Sequence, residues 1–264
     1  MHCKDDVLIR MGLIKTRQAL EFSCAYDAAD LKKLIAKSEK LLNKYSEHVA
    51  QDADTYLFEF YAGDIRNNTG TAYYRLGCSY LAKNRVEDAV KAYKRAIEYY
   101  TECIEAYRAT NEQGSDLLFK VCLNVANVKI CLYKCQKDDN YLNESIVLMR
   151  KSISKFKKLF PGSILIAEAY CTLGTIYRLK EQFKESIRYY CIAEKHGEQN
   201  ISQDNCVEVF FWIYGGYADN YKNMGNFVKA AEYLKKKKAL LLRCGYETDS
   251  DEVSEIDRQL TELE

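Results

Sequence analysis

The chain has 264 residues, and its 39 Lys and Arg nearly balance 38 Asp and Glu, so no net field draws nucleic acid or an anionic membrane. One proline and twelve glycines are few breakers for this length, which favours long helices. Eleven cysteines lie scattered along the chain rather than in a short, loop-rich disulfide scaffold.

The start, MHCKDDVLIRMGL, carries charges where a signal peptide needs an apolar run. No stretch reaches the roughly 18 uninterrupted apolar residues of a membrane span. The composition therefore predicts a soluble, reduced, intracellular protein, cytoplasmic or nuclear.

In chain order, residues 1–50 are expected to form a weakly matching helix pair, with DLKKLIAKSEKLLNKY as its second helix. A helix over 53–67 either stands alone or extends the next one. Turn residues punctuate the chain at Tyr26-Asp27, Asn67-Asn68-Thr69-Gly70, Lys83-Asn84, Glu112-Gln113-Gly114, Lys137 to Asn140, Pro161-Gly162, Glu181-Gln182, Gly197 to Asn205, Gly225-Asn226 and Gly245 to Ser250. Between them apolar residues recur at three- and four-residue steps: Val86, Ala89, Val90, Tyr93, Ala96, Ile97, Tyr100, Ile104 and Tyr107 form one such stripe. That is the period of a helix with one buried face, and about twelve helices are predicted.

Three segments superpose. Tyr73, Leu76-Gly77, Tyr80, Ala89, Tyr93 and Ala96 share their offsets with Tyr170, Leu173-Gly174, Tyr177, Ser186, Tyr190 and Ala193, and with Tyr214, Tyr217-Ala218, Tyr221, Ala230, Leu234 and Lys237. A fourth segment carries Cys122, Val125-Ala126 and Lys129, then Ser145, Met149 and Ser152 after an insertion of seven residues near Lys134 to Asn140. Small residues let two antiparallel helices approach closely while the tyrosines fill the wider gaps.

This pattern resembles the tetratricopeptide repeat. Taking Gly77, Ala126, Gly174 and Ala218 as equivalent gives intervals of 49, 48 and 44 residues. These exceed the ordinary repeat of about 34, as in the extended repeats of kinesin light chain and spindle-orientation adaptors. The resemblance implies one all-α domain over 1–264, a right-handed α-solenoid of about five antiparallel helix pairs. Its clear repeats are expected at 70–112, 167–198 and 211–243, with degenerate ones at 1–50 and 119–160. A capping helix is expected at 249–263, where Asp249 caps, Glu252 sits three residues on, and Val253, Ile256, Leu260 and Leu263 form the stripe.

Catalytic constellations are not found. His2, His48 and His196 stand far apart, and Cys131 and Cys135, one turn apart, lack a second ligand pair, so neither a metal nor a cofactor is expected. Gly215-Gly216 forms no phosphate loop. Lys235 to Lys238 reads as an exposed helical face, and most tyrosines as core.

What stacking leaves over is the concave row of the first helices: Arg75, Asn124, Asn127, Thr172, Thr175, Arg178, Asp219 and Lys222. Asn124 and Asn127 can pair with peptide backbone in both directions. Tyr74 and Cys78 occupy the places where chaperone-tail clamps of this family carry Lys and Asn, so that clamp is not expected. The expectation is a non-catalytic adaptor for a peptide or helix of another protein, with the oligomeric state open. A membrane-fusion attachment-protein-like adaptor and a self-associating scaffold are the alternatives.

Overall fold

The computed structural model describes residues 27–49, 55–109, 116–199 and 206–263, all of whose regular structure is helical. Within these residues ten helices run α1 Ala28–Val49, α2 Thr55–Ala82, α3 Val86–Ala109, α4 Asp116–Gln136, α5 Asp139–Leu159, α6 Ile164–Leu179, α7 Phe183–Glu198, α8 Cys206–Asn223, α9 Phe227–Arg243 and α10 Asp251–Thr261. The first half of the pair expected over 1–50 lies outside the described residues, and α1 is its second half. The chain divides into two compact units, residues 1–145 and 146–264, and each is described by itself.

In the first unit α1 packs on α2, α2 on α3, α3 on α4, and α2 also reaches α4. Asp27 caps α1, its carboxylate accepting from the backbone N–H groups of Ala29 and Asp30 at 2.8 and 2.9 Å. Glu39 of α1 ties in the next pair. One of its oxygens accepts from the hydroxyls of Tyr73 and Tyr99, each at 2.8 Å, and those two rings stack at 5.6 Å.

The α2–α3 contact follows a strict schedule. Gly63, Gly70 and Gly77 of α2 face Tyr107, Tyr100 and Tyr93 of α3, in reverse order because the helices are antiparallel. A methyl group at these glycines would lie 2.7, 2.8 and 2.5 Å from the opposing rings, distances that real side chains do not adopt. Each tyrosine hydroxyl then bonds the residue just after its glycine: Tyr107 donates to Asp64 at 2.7 Å, Tyr100 shares a hydrogen bond with Thr71 at 3.0 Å, and Tyr93 donates to Cys78 at 3.5 Å. The three rings are fully buried. Their phenols are pushed up, mainly by burial.

Three expectations are corrected here. Asn67 to Gly70 is not a turn: α2 runs through it, Thr69 and Thr71 returning their hydroxyls to the carbonyls of Ile65 and Asn67. Gly70 serves close packing, so the predicted helix at 53–67 is the first half of α2. The buried stripe of α3 also differs, since Val86 is exposed while Ala92, Tyr99, Cys103 and Ala106 are buried. The insertion near Lys134 to Asn140 forms no loop. Instead α4 continues to Gln136, and the two-residue turn uses Lys137 at φ 57°.

In the second unit α6 packs on α7, α7 on α8, α6 on α8, α8 on α9, and α9 on α10. The contact of each first helix with the next first helix is what stacked pairs require. Gly174 meets Tyr190 as the glycines of α2 meet their rings, and Tyr190 shares a hydrogen bond with Thr175, the next residue, at 2.9 Å. Ile164, Ala167, Cys171, Ala193, Val209, Ile213 and Tyr217 pack around that ring.

The final helix begins one residue later than expected: Ser250, not Asp249, is the N-cap residue, and its carbonyl accepts the first helical N–H from Ser254. Val253 and Ile256 are buried against Ala218, Leu234 and Leu241, with Leu260 and Leu263 packed beside them.

Candidate protein-interaction surface

In the first unit the predicted surface residues come from α2 and α4. Arg75 is half-buried and Asn127 is exposed. Asn124 is half-buried, and its amide donates to the Asn67 side chain of α2 at 3.3 Å. Lys129, one turn along α4, pairs with Glu144 of α5. Cys78 is not spent wholly on solvent, since it accepts the Tyr93 hydroxyl.

In the second unit the predicted residues divide. Thr172 is only 8% exposed, and its hydroxyl returns to the Glu168 carbonyl at 3.0 Å. Thr175 bonds Tyr190 and the Cys171 carbonyl. The Thr172 hydroxyl is thus spent within α6, and the Thr175 hydroxyl on the contact with α7. Arg178 and Asp219 form an ion pair at 3.2 Å between α6 and α8, and Lys222 reaches Glu262 of the terminal segment at 3.1 Å.

Beneath this row lies a buried relay. The Asn220 amide donates to the Ser186 hydroxyl at 2.9 Å and to the Gly216 carbonyl at 2.7 Å, and Ser186 donates to the Gly174 carbonyl at 2.7 Å. It joins α6, α7 and α8 through three small or polar residues. Sequence reasoning passed over Asn220, whose signal was an amide on the helical face that also carries Gly216.

The lysine run is mostly engaged. Lys236 pairs with Glu232 at 2.9 Å, Lys237 lies over the Phe211 ring at 4.0 Å, and Lys238 bonds both oxygens of Asp257 at 2.6 and 2.7 Å. Burial lowers the Lys237 ammonium below its ordinary range. Trp212, by contrast, is 57% exposed, with Phe211 packed edge-on against it.

A second aromatic stack crosses α6 and α7: Tyr177 on Tyr189 at 5.1 Å, Tyr189 beside Tyr170, and Tyr170 on the His196 ring at 5.6 Å. Arg150 of α5 donates to the hydroxyls of Tyr177 and Tyr189. Among the described residues no three His, Cys, Asp or Glu side chains converge on a metal-binding geometry, and no helix is long and apolar enough to cross a membrane.

Residues 70–103 and 167–192 each match a family model of the tetratricopeptide repeat. Both segments contain the glycine-on-tyrosine contact with its hydroxyl bond, at Gly70 and Gly77 in the first and at Gly174 in the second. These two segments of the chain are tetratricopeptide repeats. Repeats of this kind suggest a general role in protein interaction.

Its fold is similar to the crystal structure of a Podosopora anserina kinesin light chain protein with nearly identical TPR-like repeats. The TM-score is 0.51 and the identity 11%, over 90% of this chain and 96% of that one. The solved structure of BtubC from P. vanneervenii is more distant, with a TM-score of 0.44 and 14% identity over 92% and 94% of the two chains. At these identities the first likeness is one of fold. No curated protein sequence matches the chain.

Proposed function

We propose that this protein is a non-enzymatic scaffold that binds a peptide or helix of another protein along the polar rows of its first helices. In the first unit that row is Arg75, Asn124 and Asn127; in the second it is Arg178, Asp219 and Lys222, with Thr172 and Thr175 forming its floor. The carrying observation is the division of labour on these helices. Glycines and tyrosines are consumed by packing between helices, while amide, guanidinium and carboxylate groups remain on the face beside them. A peptide backbone loses water on entering such a row, so a side chain that restores its hydrogen bonds contributes roughly 0.5–1.5 kcal/mol.

The test is a peptide selected from a displayed library on the intact chain, its affinity then measured by calorimetry against single variants. Asn127→Ala removes an exposed amide and should weaken that peptide about ten-fold with melting unchanged. Lys236→Ala, on the second helix of its pair, should do little. Affinity that tracks Lys236 and ignores both Asn127 and Arg178 would overturn the proposal.

A further inference from the structure

Within the lysine run, Lys236, Lys237 and Lys238 are engaged by Glu232, Phe211 and Asp257, whereas among the described residues no carboxylate or ring engages Lys235. Lys235 stands in the middle of a second stripe on α9. Val228, Ala231, Lys235, Ala239 and Leu242 recur every three or four residues, on the side turned away from the buried Ala230, Leu234 and Leu241. Val228 is 84% exposed, Ala239 and Leu242 are exposed, and Ala231 is half-buried. The first half of this stripe, with Leu260 and Leu263 of the terminal segment, lines a groove of about 560 Å³. The Lys238–Asp257 pair ties its two sides together.

We propose that this groove seats an amphipathic helix of another protein whose apolar stripe carries a carboxylate at its centre. The stripe from Val228 to Leu242 is about 21 Å long at a helical rise of about 1.5 Å per residue, and its three- and four-residue steps are those on which a neighbouring helix packs at a shallow angle. The contrast inside the molecule is with α7, the second helix of the preceding pair. Its corresponding positions, 44 residues earlier by the Gly174 to Ala218 interval, are Lys184, Ile187, Cys191, Lys195 and Glu198. Where that helix presents charge, α9 presents Val228, Ala239 and Leu242.

Lys235 selects the occupant. In an antiparallel two-fold pair of copies the full stripes meet with Val228 opposite Leu242, and that register sets Lys235 against its own copy. A parallel pair does the same. Two ammonium groups losing water together repel, so the stripe rejects a second copy of this chain. A Glu or Asp at the centre of a partner's stripe turns the same lysine into an ion pair flanked on both sides by apolar contact. This surface lies on a second helix, separate from the row of first helices.

The experiment titrates the full chain into a labelled synthetic helix of three heptads, leucine at both apolar positions of each except for one central Glu, and follows fluorescence anisotropy. Binding is expected, and a central Lys in the probe should weaken it about ten-fold or more. Lys235→Glu should reverse that preference, losing the Glu probe and gaining the Lys probe. Val228→Asp, at an exposed position, should abolish binding with the circular dichroism spectrum unchanged. Asn127→Ala should leave the probe's affinity as it was, so that failure here is separate from failure of the first-helix row. No binding of the Glu probe, equal binding of the two probes, or a preference that Lys235→Glu does not reverse would overturn the proposal. So would a dimer of the chain itself, seen in sedimentation and lost in Val228→Asp, which would give the face to a second copy.

Discussion

Gly216 of α8 lies flat against the ring of Tyr190 of α7, close enough that a methyl group at 216 would come within 2.5 Å of the phenol oxygen. Tyr190 is thus flanked by glycines from two helices, Gly174 of its own pair and Gly216 of the next, so one ring sets the distance within a repeat and between repeats. Gly216→Ala should destabilise the chain by about 1–3 kcal/mol through overpacking. Gly162→Ala, at a turn where nothing lies within 4 Å, should change little. Urea unfolding of the two variants, monitored by circular dichroism, checks the contrast.

Tyr107→Phe keeps the ring against Gly63 and removes only the hydroxyl that donates to the buried Asp64 carboxylate. The loss is expected at roughly 1–3 kcal/mol at neutral pH, where the carboxylate loses a donor. Combining it with Asp64→Asn should cost less than the sum of the two single changes, which a double-mutant cycle would measure.

Ile256 is buried where α10 covers the last apolar face of its unit, so Ile256→Ala should weaken docking of that helix by about 2–5 kcal/mol. Lys238→Ala breaks a partly exposed pair with Asp257 and should cost at most about 1 kcal/mol. Limited proteolysis should cut first near Tyr246 to Ser250 in the isoleucine variant and spare the lysine one.

His196 has its imidazole held below its ordinary 6.5, first by burial and then by the Lys157 charge. The folded chain therefore binds this proton less readily than the unfolded chain. Its contribution is intact above about pH 6.5 and is lost as the pH falls through that value, where the unfolded state protonates first. Melting measured from pH 7.5 to 5.5 should show a shallower decline in His196→Gln than in the parent.

Alkylation of Cys78 should reach half its maximal rate near pH 6, well below the ordinary thiol range. At pH 6 the gain over a free thiol should be about ten-fold, because a more abundant thiolate is also a weaker nucleophile. Tyr93→Phe should move that midpoint upward. A midpoint above pH 8 in the parent would show that the donors around the sulfur do not hold the thiolate.

The pairing of α6 with α7 and of the far end of α2 with α3 was legible, because Leu-Gly before a tyrosine and a small residue, a tyrosine and an alanine after the turn are themselves the packing surface. The remaining length of α2 was not. Asn67-Asn68-Thr69-Gly70 carries every local signal of a turn, and the contact that outweighs those signals, Tyr100 against Gly70, lies 30 residues away in sequence. Gly216 was hidden for the same reason, since its partner stands on another repeat.

The bonding of the surface row's side chains was not legible, because a threonine or cysteine after a glycine gives no sign of where its polar atom points. At Thr175 and Cys78 it meets a tyrosine hydroxyl instead of solvent. The partners within the lysine run were illegible in the same way: charge alone could not show that Lys237 rests on an aromatic ring and Lys238 bonds Asp257 of the terminal helix.

The rungs at Gly63, Gly70 and Gly77 recur every seven residues, and so do Tyr93, Tyr100 and Tyr107 opposite them. Seven residues make two turns at 3.5 per turn, slightly short of the 3.6 of a straight helix, so matched rungs require α2 and α3 to coil left-handedly around each other. This makes the hairpin a vernier. Inserting three or four residues into one helix between rungs would swing later rings off their glycines and put side chains where none fits, whereas inserting seven into both could add a rung. Length in this part of the chain should therefore vary in sevens, in both helices at once.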